Sequence, residues 1–171
     1  VYAIGTNIYI GGNFTTYNGV NVSRVIRLNS DGSLDNGFNI GTGFTATSSD
    51  GVVKTLAIQS EGKIIAGGQF NAYNGIARIG IARLNSDGSI DNGFVPGSGF
   101  AGTVHSIELQ PDGKIIVGGS FVINSVSYNL ARLNVDGSID NTFNLGVTTG
   151  SGGIITSLAL QPDGKIVVGG N

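Results

Sequence analysis

The strongest constraint on the fold of this chain is a unit of about fifty residues that recurs along its length. In every copy an apolar run ends in a pair of glycines, and these pairs are Gly11-Gly12, Gly67-Gly68, Gly118-Gly119 and Gly169-Gly170. Such a period is typical of repeat architectures, in which each copy packs against its neighbours. The sequence therefore predicts one domain over 1–171, with repeats at approximately 1–50, 51–102, 103–153 and 154–171.

The first half of each repeat has the pattern of a β-hairpin. It is clearest at 106–121, where two apolar runs flank the segment Gln110-Pro111-Asp112-Gly113-Lys114. Proline presets φ for the first corner of a turn, and glycine takes the left-handed position that closes a three-residue hairpin loop. The same loop recurs at 161–165, and 59–63 is a looser version of it.

A second hairpin follows in each repeat, and its first copy turns at Ser30-Asp31-Gly32. In that register Leu28 faces Leu34 on one side of the hairpin, and Arg27 faces Asp35 on the other. Cross-strand pairs of this kind stabilise a hairpin and fix its register. The equivalent charge pairs of the later repeats are Arg83 with Asp91 and Arg132 with Asp140.

Two hairpins give four short strands in each repeat. The run Lys63-Ile64-Ile65-Ala66 is apolar without alternation, as expected for a strand that is covered on both faces. The paired glycines would let neighbouring sheets approach closely. We therefore predict an all-β chain that forms a β-propeller of four-stranded antiparallel blades. Because closed propellers typically have four to eight blades, about three and a half blades would make an incomplete ring.

Composition excludes several classes of function. The net charge is −2 and no cluster of Lys and Arg is present to neutralise phosphates, so nucleic acid is not an expected ligand. The chain has no Cys, which rules out disulfides and thiolate metal sites. No apolar run approaches the ~18 residues of a membrane span, so no membrane insertion is expected. No motif predicts a cofactor or a metal ion.

The two ends of the sequence also lead to an expectation about the ring. The chain begins at Val1 rather than at Met and stops at Asn171, inside a repeat. An open arc of blades would leave a strand edge that invites pairing with another chain. We therefore expect that the remainder of a longer polypeptide, or a partner protein, completes the propeller.

Three segments, at 109–121, 131–143 and 160–170, carry a resemblance to a known family. They resemble the delta-60 repeats of bacterial and phage β-propellers, with a Gln-Pro-Asp-Gly-Lys turn before Gly-Gly and an Ala-Arg-Leu-Asn run before Asp-Gly-Ser. The resemblance implies a propeller within a large secreted, surface or virion protein, and it carries no catalytic set. It therefore implies an extracellular location, on a cell surface or a virion surface.

The sequence does not predict an enzyme. Most of its acidic residues recur at the same position of successive repeats, which indicates a role in the scaffold. General acid–base catalysis instead needs a singular pair of groups with separated pKa values. The alternative function is a fragment of a glycan-processing propeller enzyme, which would need unrepeated polar residues together in one cleft. The candidates for that set are Asp50, Lys54, His105 and Glu108.

Calcium binding is a further alternative, since Asn29, Asp31 and Asp35 could supply three oxygen ligands around a glycine turn. Arg27 stands where a fourth ligand is expected, and the other repeats also have arginine there. A cation at that position repels a metal ion and is better explained by pairing with the aspartate. We therefore favour a hairpin turn with a cross-strand ion pair.

The loops vary more than the hairpins, and loops fixed by a rigid scaffold often carry binding sites. Three variable loops contain a tyrosine next to an asparagine, at Tyr17-Asn18, Tyr73-Asn74 and Tyr128-Asn129. Such residues could stack on a sugar and hydrogen-bond its hydroxyls, although we favour packing of the tyrosines over the sheet edge. The sequence thus predicts a non-catalytic structural and recognition module that binds a glycan or a partner protein through these loops.

Overall fold

A computed structural model of the protein describes residues 1–47, 51–143, 146–147 and 153–171. This part of the chain forms strands and turns without any helix, and so it offers no helix that could cross a membrane. In chain order the strands are β1 (Tyr2–Ile4), β2 (Asn7–Gly11), β3 (Thr16–Tyr17), β4 (Val20–Asn21), β5 (Val25–Leu28), β6 (Phe44–Thr45), β7 (Val52–Ile58), β8 (Ile64–Gln69), β9 (Ala72–Tyr73), β10 (Ile76–Ala77), β11 (Ile81–Leu84), β12 (Ala101–Leu109), β13 (Ile115–Ile123), β14 (Val126–Leu133), β15 (Gly146–Val147), β16 (Ile155–Leu160) and β17 (Ile166–Gly170).

Most strands belong to four antiparallel sheets that follow one another along the chain. The first sheet has the strand order β1-β2-β5, the second β7-β8-β11, the third β12-β13-β14-β15 and the fourth β16-β17. Two smaller sheets, β3-β4 and β6-β9-β10, are formed by the variable loops and a connector. The predicted all-β chain of repeated antiparallel hairpins is thus confirmed.

The fourth strand that we predicted in each repeat is reduced to one residue. In the first repeat Leu34 forms a single bridge with Leu28. The equivalent bridges are Leu84 with Ile90 and Leu133 with Ile139. The backbone turns away after this bridge because the Asp35 carboxylate accepts a hydrogen bond of 2.8 Å from the amide of Gly37. The first and second sheets therefore have three strands, and β15 supplies a fourth strand in the third sheet.

The second sheet is covered on both faces, which explains the apolar run at 63–66. Side chains alternate along β8, so that Ile64 and Ala66 pack with the first sheet and Ile65 packs with the third. All three residues are fully buried. Burial of one such isoleucine contributes on the order of 1.5–3 kcal/mol, so these contacts hold neighbouring sheets face to face.

The first glycine of each pair leaves room for the next sheet. A methyl group on Gly67 would lie 2.5 Å from Val104 and 2.8 Å from Ile107, both of which belong to the third sheet. The corresponding contacts are those of Gly11 with Val53 and Leu56 and of Gly118 with Ile155 and Leu158. Any side chain at these positions would push the sheets apart, which accounts for the glycine.

The second glycine of the pair lies beside a bulge in its own sheet. A methyl group on Gly68 would clash with the carbonyl oxygen of Val52, next to the register shift between Val53 and Thr55. The equivalent clashes would be those of Gly119 with Thr103 and of Gly170 with Ile154. Gly12 differs from these, because its neighbour is the ring of Phe14.

Candidate functional site

An arginine, an aspartate and a phenylalanine meet in the second hairpin of each of the first three repeats. We call this set the Arg–Asp–Phe unit. In the second repeat Arg83 Nε donates a hydrogen bond of 2.7 Å to Asp91 Oδ2, and the guanidinium lies 4.8 Å from the centre of the Phe94 ring. The other units are Arg27, Asp35 and Phe38 in the first repeat and Arg132, Asp140 and Phe143 in the third. A cation over an aromatic face adds to the attraction of the ion pair.

The Arg–Asp–Phe unit also joins neighbouring repeats. Arg83 Nη1 donates a hydrogen bond of 2.6 Å to the carbonyl oxygen of Val135, in the turn of the third repeat. Arg27 Nη1 donates in the same way to the carbonyl oxygen of Ser86, in the turn of the second repeat. A guanidinium can do both because its donors lie in a fixed planar fork. These charged groups are therefore part of the scaffold.

A lysine of the first hairpin completes the unit in two of the repeats. Lys63 Nζ donates a hydrogen bond of 2.8 Å to Asp91, and Lys114 Nζ donates one of 2.7 Å to Asp140. In the first repeat Asn7 stands at the position of these lysines. The aspartate of the first unit therefore has one lysine fewer beside it than its two counterparts.

These partners keep the aspartates ionised. Burial opposes the ionisation of Asp91, but hydrogen bonds from Lys63, the Gly93 amide and Arg83 outweigh it and lower the pKa of Asp91 to about 2. The pKa of Asp140 is lowered as well, first by the hydrogen bond from its lysine. A carboxyl group held in its ionised form does not serve as a general acid near neutral pH.

The turn aspartates accept hydrogen bonds from their own loops. Asp31 Oδ1 accepts hydrogen bonds from the Ser33 amide (2.9 Å) and the Ser33 hydroxyl (2.6 Å), and Asn29 Nδ2 donates to the same hydroxyl. Asp35 faces its arginine instead, whereas Asn29 and Asp31 share the hydroxyl of Ser33 as a partner. Among the described residues no group of three acidic or histidine side chains is arranged to hold a metal ion.

Two loop tyrosines fasten their loops to the turn of the second hairpin. The hydroxyl of Tyr17 donates a hydrogen bond of 2.7 Å to the carbonyl oxygen of Gly32, and that of Tyr73 donates to the carbonyl oxygen of Gly88. Tyr73 is only 1% exposed, lies against the ring of Phe44, and has a pKa that burial raises. Tyr73 therefore packs inside the protein, which is the arrangement that we favoured over stacking on a sugar.

Tyr128 does not occupy the position of the other two loop tyrosines. In the first two repeats the tyrosine precedes a turn that starts at an asparagine with positive φ, Asn18 or Asn74. The equivalent turn residue of the third repeat is Asn124, so Ile123 takes the tyrosine position and Tyr128 lies on the return strand β14. Tyr128 therefore lies at a different position from Tyr17 and Tyr73, because β13 continues through this shorter loop into the hairpin.

The three loop asparagines have different surroundings. Asn18 is exposed at its turn. Asn74 is also exposed, and its Oδ1 accepts a hydrogen bond of 3.2 Å from the amide of Thr42 in the connector before the second sheet. Asn129 is buried and donates to the carbonyl oxygen of Gly153. The predicted loop residues are thus not brought together into one site.

Two of the unrepeated polar residues, Lys54 and His105, lie on equivalent bulges in the first strands of neighbouring sheets. Burial lowers the pKa of His105, and the charge of Lys54 lowers it further. Glu108 lies on the same strand as His105, and burial raises its pKa. Asp50, the remaining candidate, lies outside the described residues. Lys54 lines a cleft of about 170 Å³ whose walls include neither His105 nor Glu108.

A larger cleft of about 340 Å³ opens in the first repeat, and we call it the first-repeat cleft. Its lining includes the buried residues Ile26 and Phe38 and the more exposed polar residues Asn21, Ser23 and Asn36. An apolar floor with a few polar groups is typical of small-ligand sites, and the volume falls in their usual range.

Reasoning from the sequence missed this cleft because its polar lining does not recur. Corresponding positions of the second repeat carry apolar residues in a smaller cleft of about 170 Å³. Those apolar residues are Ala77, Ile79 and Val95, in place of Asn21, Ser23 and Asn39. A position-by-position comparison of the two repeats contains this signal, whereas a search for recurring motifs passes over it.

The chain was also compared with known proteins. A family model described as a domain of unknown function, DUF5122, with a β-propeller fold matches residues 7–38, 59–94, 110–143 and 161–171. These segments contain the second hairpin turn of the first three repeats and all three Arg–Asp–Phe units. No curated protein matches the chain. The predicted membership of a β-propeller repeat family is confirmed, and the chain belongs to the DUF5122 β-propeller family.

Proposed function

We propose that this chain is a non-catalytic structural and recognition module on the outside of a bacterium or a phage particle. The Arg–Asp–Phe unit carries the proposal, because it engages a cation and an acid of each repeat in contacts within and between repeats. Charged groups used in this way support a rigid framework. Recognition is then left to the segments between the hairpins, as in other scaffolds that present loops.

The framework is proposed to be a propeller of four-stranded blades, in which the bridge between Leu28 and Leu34 marks the beginning of the fourth strand. The narrower resemblance to delta-60 repeats supports an extracellular, cell-surface or virion location. It also supports a role as one part of a larger assembly.

A further sheet is proposed to cover the fourth sheet, contributed by a longer polypeptide or by a partner protein. Val167 and Val168 are 50% and 49% exposed there, whereas the equivalent Ile65 and Ala66 of the second sheet are fully buried. Light scattering over a range of concentrations tests whether the partner is a second copy of the chain. We expect association that Val168→Asp prevents, and a monomer at every concentration would exclude a second copy as the partner.

The ligand is proposed to be a glycan or a protein, which the module binds without changing it chemically. Incubation of the purified chain with a panel of glycosides and esters tests the absence of catalysis. No product is expected, and hydrolysis above the background rate would overturn the proposal.

A glycan-processing enzyme fragment is the second candidate function. It is favoured by the neighbouring positions of Lys54 and His105 and by the raised pKa of Glu108, since perturbed groups cluster at active sites. If the panel shows hydrolysis, Glu108→Gln and His105→Ala should abolish it. Unchanged hydrolysis in both variants would exclude these residues from the reaction.

A further inference from the structure

We propose that the first-repeat cleft binds one uncharged saccharide unit, held by the side chains of Asn21, Ser23 and Asn36. The inference rests on the proposed function, because it names the ligand class and the place where the module meets it. Four features support the assignment: a cleft larger than its counterpart in the second repeat, a connector wall fixed by that repeat, polar groups left without partners, and a neutral lining.

The second repeat shows how the cleft is partly filled when arginine replaces valine. Arg78 occupies the position of Val22, and its Nη2 donates a hydrogen bond of 3.3 Å to Asn92 Oδ1. Asn92 is the counterpart of Asn36. In the first repeat the shorter valine cannot reach that amide, and the cleft has twice the volume of its counterpart.

The third repeat closes the same region by a different route. There β15 pairs with the outer edge of β14, opposite Tyr128 and Leu130. The corresponding edge of β5, at Val25, forms the floor of the first-repeat cleft. Among the three repeats whose second hairpin is described, the first is therefore the one in which neither an arginine at the position of Val22 nor an added strand occupies this region.

Hydrogen bonds to the second repeat fix the connector of the first repeat, which forms one wall of the cleft. The amide of Asn39 donates a hydrogen bond of 2.8 Å to the carbonyl oxygen of Asp87. Further along the connector, the amide of Thr42 donates to Asn74 Oδ1. These bonds keep the cleft open before any ligand arrives, and a preformed site avoids the cost of ordering a loop on binding.

The lining is neutral and rich in unused hydrogen-bonding groups. Within the described part of the chain, the side chains of Asn21, Ser23 and Asn36 make no hydrogen bond. Arg27 and Asp35 also line the cleft, but they neutralise each other at 2.7 Å. Carboxamides and a hydroxyl both donate and accept, which suits sugar hydroxyls, and the absence of a net charge disfavours phosphates and metal ions.

Nuclear magnetic resonance titration of the ¹⁵N-labelled chain tests this inference. The probes are glucose, galactose, mannose and N-acetylglucosamine, each added to millimolar concentrations, with the tripeptide Gly-Asn-Gly as a non-saccharide probe. Val22→Arg fills the cleft as Arg78 does in the second repeat. Val20→Arg is the matched control, because Val20 is 50% exposed and does not line the cleft. Asn36→Ala removes one amide at an exposed position, which keeps the test valid if Val22→Arg fails to fold.

We expect at least one sugar to shift the side-chain amide signals of Asn21 and Asn36 in the natural chain and in Val20→Arg. The shifts should disappear in Val22→Arg, and Asn36→Ala should weaken binding about fivefold to tenfold. Shifts that persist in Val22→Arg, shifts caused by the tripeptide but by no sugar, or no shift at all would overturn the site. The hydrolysis panel is a separate assay, so the cleft and the proposed function can fail independently.

Discussion

Arg83 of the second repeat donates one hydrogen bond of 2.6 Å to the carbonyl oxygen of Val135 in the third repeat and another of 2.7 Å to Asp91 in its own. The same side chain therefore closes a hairpin and fixes the distance to the next turn. Lysine carries the same charge on a single nitrogen and lacks the planar fork that reaches both acceptors.

Replacing Arg83 with lysine is expected to lower the free energy of unfolding by about 1–3 kcal/mol, because a charge-assisted hydrogen bond between repeats is lost. Urea unfolding followed by circular dichroism measures the change. Arg78→Lys is the control, since its hydrogen bonds stay within the second repeat. Equal losses in the two variants would contradict the proposed link between repeats.

Acid is expected to weaken the fold through Asp91. The pKa of Asp91 is about 2 in the folded chain, below its value of about 3.9 in an unfolded chain, so the ionised form stabilises the fold. This stabilisation is fully present above about pH 5 and is lost as the pH falls through about 2.

The variant Asp91→Asn is expected to unfold more easily than the natural chain at pH 7, by about 2–4 kcal/mol, because Arg83 and Lys63 lose their counter-charge. Thermal melting from pH 7 to pH 2 should show the gap between the two proteins narrowing. A gap that stays constant over this range would mean that Asp91 does not titrate as described.

Replacing Gly67 with alanine is expected to cost about 1–3 kcal/mol, because the added methyl group would lie 2.5 Å from Val104. Gly169→Ala is the matched control, since the nearest atom to its methyl group would be Cβ of Ser157 at 3.9 Å. Thermal melting of both variants is the measurement. A loss at Gly169 as large as that at Gly67 would rule out crowding between sheets as the cause.

Replacing Tyr73 with phenylalanine is expected to cost about 1 kcal/mol, because the carbonyl oxygen of Gly88 loses its buried donor. Tyr17→Phe removes the equivalent bond to Gly32 at a more exposed position, so its cost should be smaller. Chemical denaturation resolves the difference. The reverse order of the two losses would show that burial does not set the strength of these contacts.

Local pairing could be predicted from the sequence because it depends on residues close together in the chain. The turn at 30–32 determines that Leu28 meets Leu34 and that Arg27 meets Asp35, and the structure places both pairs in contact. The close approach at the first glycine of the pair followed from the same spacing, because Gly11, Gly67 and Gly118 face the next sheet at equivalent positions.

Burial and the cleft could not be predicted in this way because they depend on distant segments. Tyr73 is covered by Phe44 from the connector before the second sheet, and a loop position alone does not reveal that contact. The first-repeat cleft depends on the length of one side chain, Val22 rather than arginine, and on a connector held by the neighbouring repeat. The shortened fourth strand accompanies a hydrogen bond that the Gly37 amide donates to the Asp35 carboxylate.

The absence of a side chain at the first glycine of each pair has a consequence for how such chains change over generations. Each described contact of this type requires only two branched apolar side chains three positions apart on the incoming strand, such as Val104 and Ile107. A unit that is copied within the gene carries these two side chains with it. They then pack against the first glycine of the pair in the preceding unit. The length of the array can therefore grow or shrink by whole units without the invention of a new complementary surface.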